Sequence, residues 1–302
     1  MSAPVEAFAG VSAFPLTPLR DDAVDTRAFA GLVERLAASG ADSITALGST
    51  GSYAYLSAEE RADIARLAVR HAHGVPVHIG VGALRTSQVL AHVASAEAAG
   101  ASGVLLAPMS YQPLTEDDVF GLFRTVSERT QLPIILYDNP ATTRFACTPE
   151  LYARIAELPG VASIKIPGIP GGVDEVRARV DAIRRAIPEH VTIGISGDAY
   201  AATALSAGCD AWYSALGGTL PDPIIAIARA ALGGRAAEAE ELSGRLAPLW
   251  ALFAEFGGSL RVTAAVAELL GLAPEGCLPL PIRGLEPAQR ARVAAALRDL
   301  GL

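Results

Sequence analysis

The chain has 302 residues, 51% of them hydrophobic and 19% charged, with a formal net charge of −8 at pH 7. That length buries a large core, and the composition is too apolar for a disordered chain. The acidic balance, without any basic cluster, argues against nucleic acid and against an anionic membrane surface as partners.

Short β-type runs alternate with helical patterns along the chain. GVSAF (10–14) reads as a strand, followed by a helix near 25–39. SITAL (43–47) leads to a helix opened by Ser57, with Glu60 three residues on as in a capping box. PVHIGV (76–81) precedes a helix near 86–99, and GVLLA (103–107) precedes one opened by Thr115 with Asp118. PIILY (133–137) precedes a helix starting near Thr148 and Pro149, and VASIK (161–165) one near 172–187. VTIGIS (191–196) leads into 198–207, and DAWYSA (210–215) into 222–232.

The strands are short, β-branched and apolar throughout, as strands covered on both faces must be. Turns such as SGADS and AGASG return each helix to the next strand. Eight βα units within about 230 residues predict an α/β chain folded as a (β/α)8 TIM barrel. A doubly wound sheet would carry a glycine fingerprint after its first strand, where this chain has FPLTPL. Beyond 232 only helices are expected, near 235–256, 259–271 and 286–300. The domain reading is therefore a barrel over 1–232 carrying the active site and a C-terminal helical appendage over 233–302.

Apolar runs such as GVLLAPM (103–109) fall short of the roughly 20 residues a spanning helix needs. The start, MSAPVEAFAG, has neither the basic nor the long apolar region of a secretory signal. Cys147, Cys209 and Cys277 are odd in number and far apart, without zinc-type spacing. They read as small buried hydrophobes in a reducing, cytoplasmic compartment.

In a barrel of this kind chemistry sits at the C-terminal strand ends. There the chain places Thr17, the loop GSTGS (48–52), PMSYQP (108–113), Tyr137 before DNPATT, Lys165, Ser196-Gly197-Asp198 and Ser214. Lysine and arginine total 24, and Lys165 is the only lysine. Strand alternation turns Ile164 and Ile166 away from the face that Lys165 joins, so its amine falls at the barrel mouth. A poorly solvated ammonium there has a lowered pKa, and the neutral amine attacks carbonyl carbon to form a Schiff base. Arginine stays protonated and cannot. The phenol of Tyr137, on the neighbouring strand, is a candidate to move protons around such an imine. Ser49 and Thr50 lie between Gly48 and Gly51, in a loop whose hydroxyls and free amides suit a carboxylate.

GSTGS, YDNP, SIKIPG and SGDAYAATALSAGCDAWYS, in that order, resemble the dihydrodipicolinate synthase / N-acetylneuraminate lyase family over nearly the whole chain. The resemblance implies a barrel with C-terminal helices that condenses or cleaves pyruvate or a related 2-oxo acid with an aldehyde. It implies a lysine Schiff base, no cofactor and no metal, and a homo-oligomer, commonly a tetramer; the sequence itself leaves dimer or tetramer open. Lys165 matches the Schiff-base lysine, Tyr137 the proton-shuttling tyrosine, and Ser49 with Thr50 the hydroxyl pair that takes the 2-oxo acid carboxylate. Gly197 and Tyr213 match positions lining the pyruvate pocket. The GSTG loop is closer to the sialic acid lyase branch than to the synthases.

Three departures bear on the second substrate, expected to be a polar aldehyde. The synthases' carboxylate-gripping arginine is replaced by Thr142, with Arg144 nearby as another grip. The glutamate closing the Gly-rich loop is Ser52. Ser110 stands where the synthases carry a tyrosine that reaches a neighbouring subunit's relay, and Tyr111 follows it. The expected reaction is a class I aldolase-type carbon–carbon or carbon–oxygen lyase. Lysine-pathway synthase activity, a dehydratase or hydratase-aldolase, and a barrel binding 2-oxo acid without turnover stand as alternatives. A metal-dependent aldolase or hydrolase is the remaining reading: His71, His73, His78 and His92 cluster in sequence, but 71 and 73 are two apart on a predicted helix and face different ways.

Overall fold

A computed structural model describes residues 8–302; residues 1–7, where the chain was read for a leader, lie outside the described residues. Eight parallel strands close a barrel. They are β1 (Gly10–Ala13), β4 (Ser43–Ala46), β5 (Val77–Gly80), β6 (Gly103–Leu106), β7 (Ile134–Tyr137), β8 (Val161–Ile166), β9 (Thr192–Ile195) and β10 (Ala211–Ser214). Each pairs with the next, and β10 and β4 both pair with β1. The predicted TIM barrel is the observed fold.

The helices around it are α1 (Thr26–Ser39), α2 (Ala58–His71), α3 (Thr86–Ala99), α4 (Glu116–Ser127), α6 (Pro149–Ala156), α7 (Val173–Ala186), α8 (Ala201–Ser206) and α9 (Pro221–Leu232). Ser57 and Thr115 form the predicted capping boxes with Glu60 and Asp118. Gly40 and Gly100 close α1 and α3 in the left-handed conformation, as the SGADS and AGASG turns require.

Three features were not expected. A two-stranded hairpin, β2 (Leu19–Arg20) with β3 (Ala23–Val24), follows the first barrel strand. A single helical turn, α5 (Pro140–Thr143), follows β7. The helix expected over 235–256 is two, α10 (Ala236–Arg245) and α11 (Ala247–Glu255), because Pro248 cannot continue the hydrogen-bond ladder and starts a new helix instead. Then come α12 (Ser259–Leu269) and α13 (Pro287–Asp299). α10 packs on α8 and α9, and α11 touches the turn Asp198–Tyr200 beside the barrel mouth.

Two apolar layers hold the barrel. Between strands and helices lie residues such as Val11, Ile44, Ile164, Ile166 and Trp212. Inside it lie Phe8, Phe14, Leu105, Ile135, Tyr137, Ala162 and Tyr213. The phase of β8 is set by a bulge. Ile134 pairs with Val161, but Ile135 pairs with Ser163, so Ala162 is an extra residue. After it, Ser163 and Lys165 face inward and the two isoleucines outward.

Candidate active site

β7 and β8 pair with Tyr137 opposite Lys165, so phenol and amine arise side by side. The Lys165 side chain is 4% exposed. Its Nζ lies 3.9 Å from the ring centroid of Tyr137, 4.0 Å from that of Phe14 and 5.8 Å from that of Tyr213. Burial pulls the amine down to about 7, opposed by the carboxylate of Asp198. The aromatic faces also favour the charged form.

Phe14 reaches this position because Gly48 has no side chain. A Cβ there would sit 2.5 Å from the Phe14 ring. β4 leaves the barrel through Leu47 in the left-handed region, φ 58°, and Gly80 on the adjacent strand leaves room for the displaced Leu47 carbonyl. Gly51 keeps the loop tight against Leu47 and Thr17. Gly48 and Gly51, expected to bind substrate, thus each have a packing reason to be glycine. We predict that Gly48→Ala displaces Phe14 and costs roughly 1–3 kcal/mol of stability, measured by denaturant unfolding.

The loop brings Ser49 to the phenol. Ser49 Oγ lies 3.4 Å from Tyr137 Oη, and Thr50 is buried beside it. Tyr137 is 6% exposed. Burial pushes its pKa up to about 12, and the hydrogen bonds from Ser49 and Asn139 pull it back. Asn139 Nδ2 donates to Tyr137 Oη at 2.7 Å and to Thr142 Oγ1 at 2.9 Å. Asn139 was missed in the sequence; its signal was an amide two residues beyond the tyrosine on extended backbone, hence on the same side.

Asp138, between them, points the other way. It accepts from Tyr152 Oη at 2.5 Å and from the Cys147 amide at 3.4 Å, while its own amide donates to the Lys165 carbonyl. Asp198 is buried as well, accepting from Trp212 Nε1 at 2.9 Å and the Leu216 amide at 2.8 Å. Burial pushes the carboxyl pKa of Asp198 up. Gly197 adopts φ 80° and lies against Gly168, joining the β8 and β9 ends.

Other expected residues lie further from the amine. Tyr213 offers its ring but not its hydroxyl, which bonds Ser163 Oγ at 2.7 Å, one layer deeper in the barrel; the ring fills the space left by Gly194. Tyr111 is 90% exposed. Ser110 Oγ is spent on its own loop, donating to the Gln112 carbonyl at 2.6 Å and accepting from the Gln112 amide at 3.1 Å. Neither reaches Tyr137 within this chain. Arg144 is exposed, in the left-handed conformation closing α5. The histidines do not gather: His71 pairs with Glu34 at 2.7 Å, and His78 is buried in the barrel floor, stacked on Phe8. Among the described residues no helix is long and apolar enough to cross a membrane.

A model of the Dihydrodipicolinate synthetase family matches residues 7–300. The 4-hydroxy-tetrahydrodipicolinate synthase of Persephonella marina is 31% identical over 290 residues, covering 95% of this chain and 96% of that protein. The crystal structure of dihydrodipicolinate synthase from Agrobacterium tumefaciens superposes with a TM-score of 0.94 at 43% identity, covering 98% of this chain and 99% of that one. A chloride-inhibited dihydrodipicolinate synthase from Acinetobacter baumannii, solved with pyruvate, superposes at 0.86 with 26% identity, covering 98% and 99%. With barrel, C-terminal helices and near full-length matches in agreement, the chain belongs to the dihydrodipicolinate synthetase family and is a lyase of the class I aldolase type, working through a lysine Schiff base.

Proposed function

We propose that Lys165 is the Schiff-base lysine, that pyruvate or a close 2-oxo acid is its substrate, and that the partner is a polar aldehyde. The observation carrying this is the amine itself: the sole lysine, buried at the barrel mouth against the Tyr137 ring. The pyruvate held by the Acinetobacter relative supports the substrate class.

The neutral amine attacks the 2-oxo carbon, forming a C–N bond, and a proton passes from nitrogen to oxygen to give the carbinolamine. Tyr137 gives its proton to the leaving hydroxyl, water departs and the cationic imine forms. The phenolate then takes a C3 proton, leaving an enamine whose C3 attacks the aldehyde carbonyl. The phenol returns its proton to the new alkoxide, and water hydrolyses the imine to free Lys165. Ser49 is the relay partner of the phenol; Thr50 and the 48–52 amides hold the substrate carboxylate. Cleavage is the same path reversed. Ser110, Tyr111, Thr142 and the 138–144 segment border the outer pocket for the aldehyde.

A second reading, 4-hydroxy-tetrahydrodipicolinate synthase proper, is favoured by the names of the relatives. Against it, Thr142 carries no charge to grip a second carboxylate and its hydroxyl is already held by Asn139. A dehydratase or hydratase-aldolase would use the same imine.

Borohydride trapping with pyruvate, read by intact mass and peptide mapping, tests the proposal. A reduced adduct on Lys165 is expected; no adduct from folded protein with pyruvate or a panel of 2-oxo acids overturns it. The pH dependence gives a sharper check. The free amine is the nucleophile and its pKa is about 7, so trapping slows about tenfold per pH unit below 7 and levels off above it. An ordinary lysine, near 10.5, would still be gaining rate at pH 9.

A further inference from the structure

Among the described residues the phenol oxygen of Tyr137 has two hydrogen-bond partners, and they differ in kind. Ser49 Oγ, at 3.4 Å, can donate or accept. Asn139 Nδ2, at 2.7 Å, can only donate. With a lone pair of the phenol oxygen taken by the amide, the phenol's own proton is left to point toward Ser49 and the amine side of the pocket.

The amide is held in place from several directions. The Asn139 carbonyl accepts from the Thr142 and Thr143 amides at 2.9 Å each and from Thr143 Oγ1 at 3.0 Å, the first turn of α5 being set by Pro140. The second Nδ2 hydrogen is taken by Thr142 Oγ1 at 2.9 Å. On the opposite face of the backbone Asp138 is fixed by Tyr152 and the Cys147 amide. Positions 138 and 139 thus divide the work, one anchoring the segment outward and one serving the phenol inward.

We infer that Asn139 is a positioning residue of the proton relay: its side-chain amide aims the Tyr137 hydroxyl at the reacting centre and stabilises the phenolate left when the carbinolamine loses water. This rests on the reading of Tyr137 as proton carrier. When Tyr137 gives up its proton, the oxygen 2.7 Å from Nδ2 gains a full charge. The bond then becomes charge-assisted, so it strengthens in the step where it is needed. No proton leaves Asn139 at any stage. Tyr111 is exposed and Ser110 is tied to its own loop, so among the described residues Asn139 and Ser49 are the two groups that hydrogen-bond the phenol. Through Thr142 the amide also ties this relay to the rim of the outer pocket.

The test uses Asn139→Asp, which is close in shape and can take a hydrogen bond from the Thr142 hydroxyl in place of the one Asn139 donates to it. At position 139 it replaces the donor by an acceptor, so the phenol must turn its hydroxyl toward the carboxylate. Asn139→Leu removes both functions, and Asn139→Gln keeps an amide donor one methylene further out. Two quantities are read: the final extent of borohydride trapping of pyruvate on Lys165, and the rate of deuterium uptake into the pyruvate methyl group in D2O, which needs the C3 proton transfer. Trapping extent is expected to stay within threefold of wild type in all three variants. Deuterium uptake is expected to fall about 10²-fold in Asn139→Asp and Asn139→Leu, the loss typical of removing one donor from a developing oxyanion, with Asn139→Gln recovering part of it. Uptake by Asn139→Asp within twofold of wild type overturns the inference, and so does a loss of trapping extent equal to the loss of uptake, which would mark a purely structural role. Tyr137→Phe runs alongside: if it exchanges at the wild-type rate, the reading of Tyr137 itself fails, whereas a slow Tyr137→Phe beside an unaffected Asn139→Asp sinks only the role of Asn139.

Discussion

Lys165→Met is expected to abolish the pyruvate adduct and to lower turnover by about 10³-fold or more. Methionine keeps an unbranched stem of similar length in a slot walled by Phe14, Tyr137 and Tyr213, so packing is preserved while the nucleophile is lost. The variant should also be more stable, which separates loss of chemistry from loss of fold. The folded state holds the amine near 7, whereas an unfolded lysine titrates near 10.5. The unfolded chain therefore binds the proton more readily, and wild type is penalised most below about pH 7, the penalty fading as pH rises toward 10.5. The stability gain of Lys165→Met should follow that window. Denaturant unfolding at pH 6 and pH 10 measures it; an equal gain at both would mean that the amine is not desolvated in the folded protein.

Tyr137→Phe is the second large effect, about 10²–10⁴-fold in turnover. The ring remains, with the face it presents to the Lys165 amine, so the aromatic surroundings of the imine persist. What disappears is the oxygen that Asn139 and Ser49 hold. The expected split is an adduct still trapped on Lys165, formed slowly, with product formation almost lost. A variant turning over within fivefold of wild type would mean that another group carries the proton.

The barrel was legible because its signals are local. Apolar β-branched runs, capping residues at Ser57 and Thr115, and left-handed glycines after helices each act within a few residues of themselves. The hairpin at 19–24 escaped because two-residue strands have no periodicity to read. The break at Leu246 was legible in principle, since Pro248 announces it, but the apolar pattern runs through it. Lys165 and Tyr137 stood out by position at strand ends, and the structure brings them together. Phe14 did not stand out, because its neighbours Gly48, Lys165 and Tyr213 are distant in sequence and meet it only once the barrel closes. Asn139 was hidden by the attention that Thr142 draws as a departure from the family. Tyr111 and Tyr213 are named from the family resemblance; Tyr111 is exposed, and Tyr213 presents its ring toward the amine while its hydroxyl bonds Ser163.

Surface cations that are all arginine, and a single lysine sealed inside the barrel, have a practical consequence for an enzyme that uses a lysine Schiff base. Aldehydes and 2-oxo acids condense with neutral amines, and guanidinium groups stay protonated at physiological pH. The surface therefore offers these reagents no lysine on which to accumulate. On the proposed mechanism, the one lysine they meet is the one that leads to turnover. A lysine placed on the surface for tagging or immobilisation would be a second lysine on which simple aldehydes and 2-oxo acids could condense.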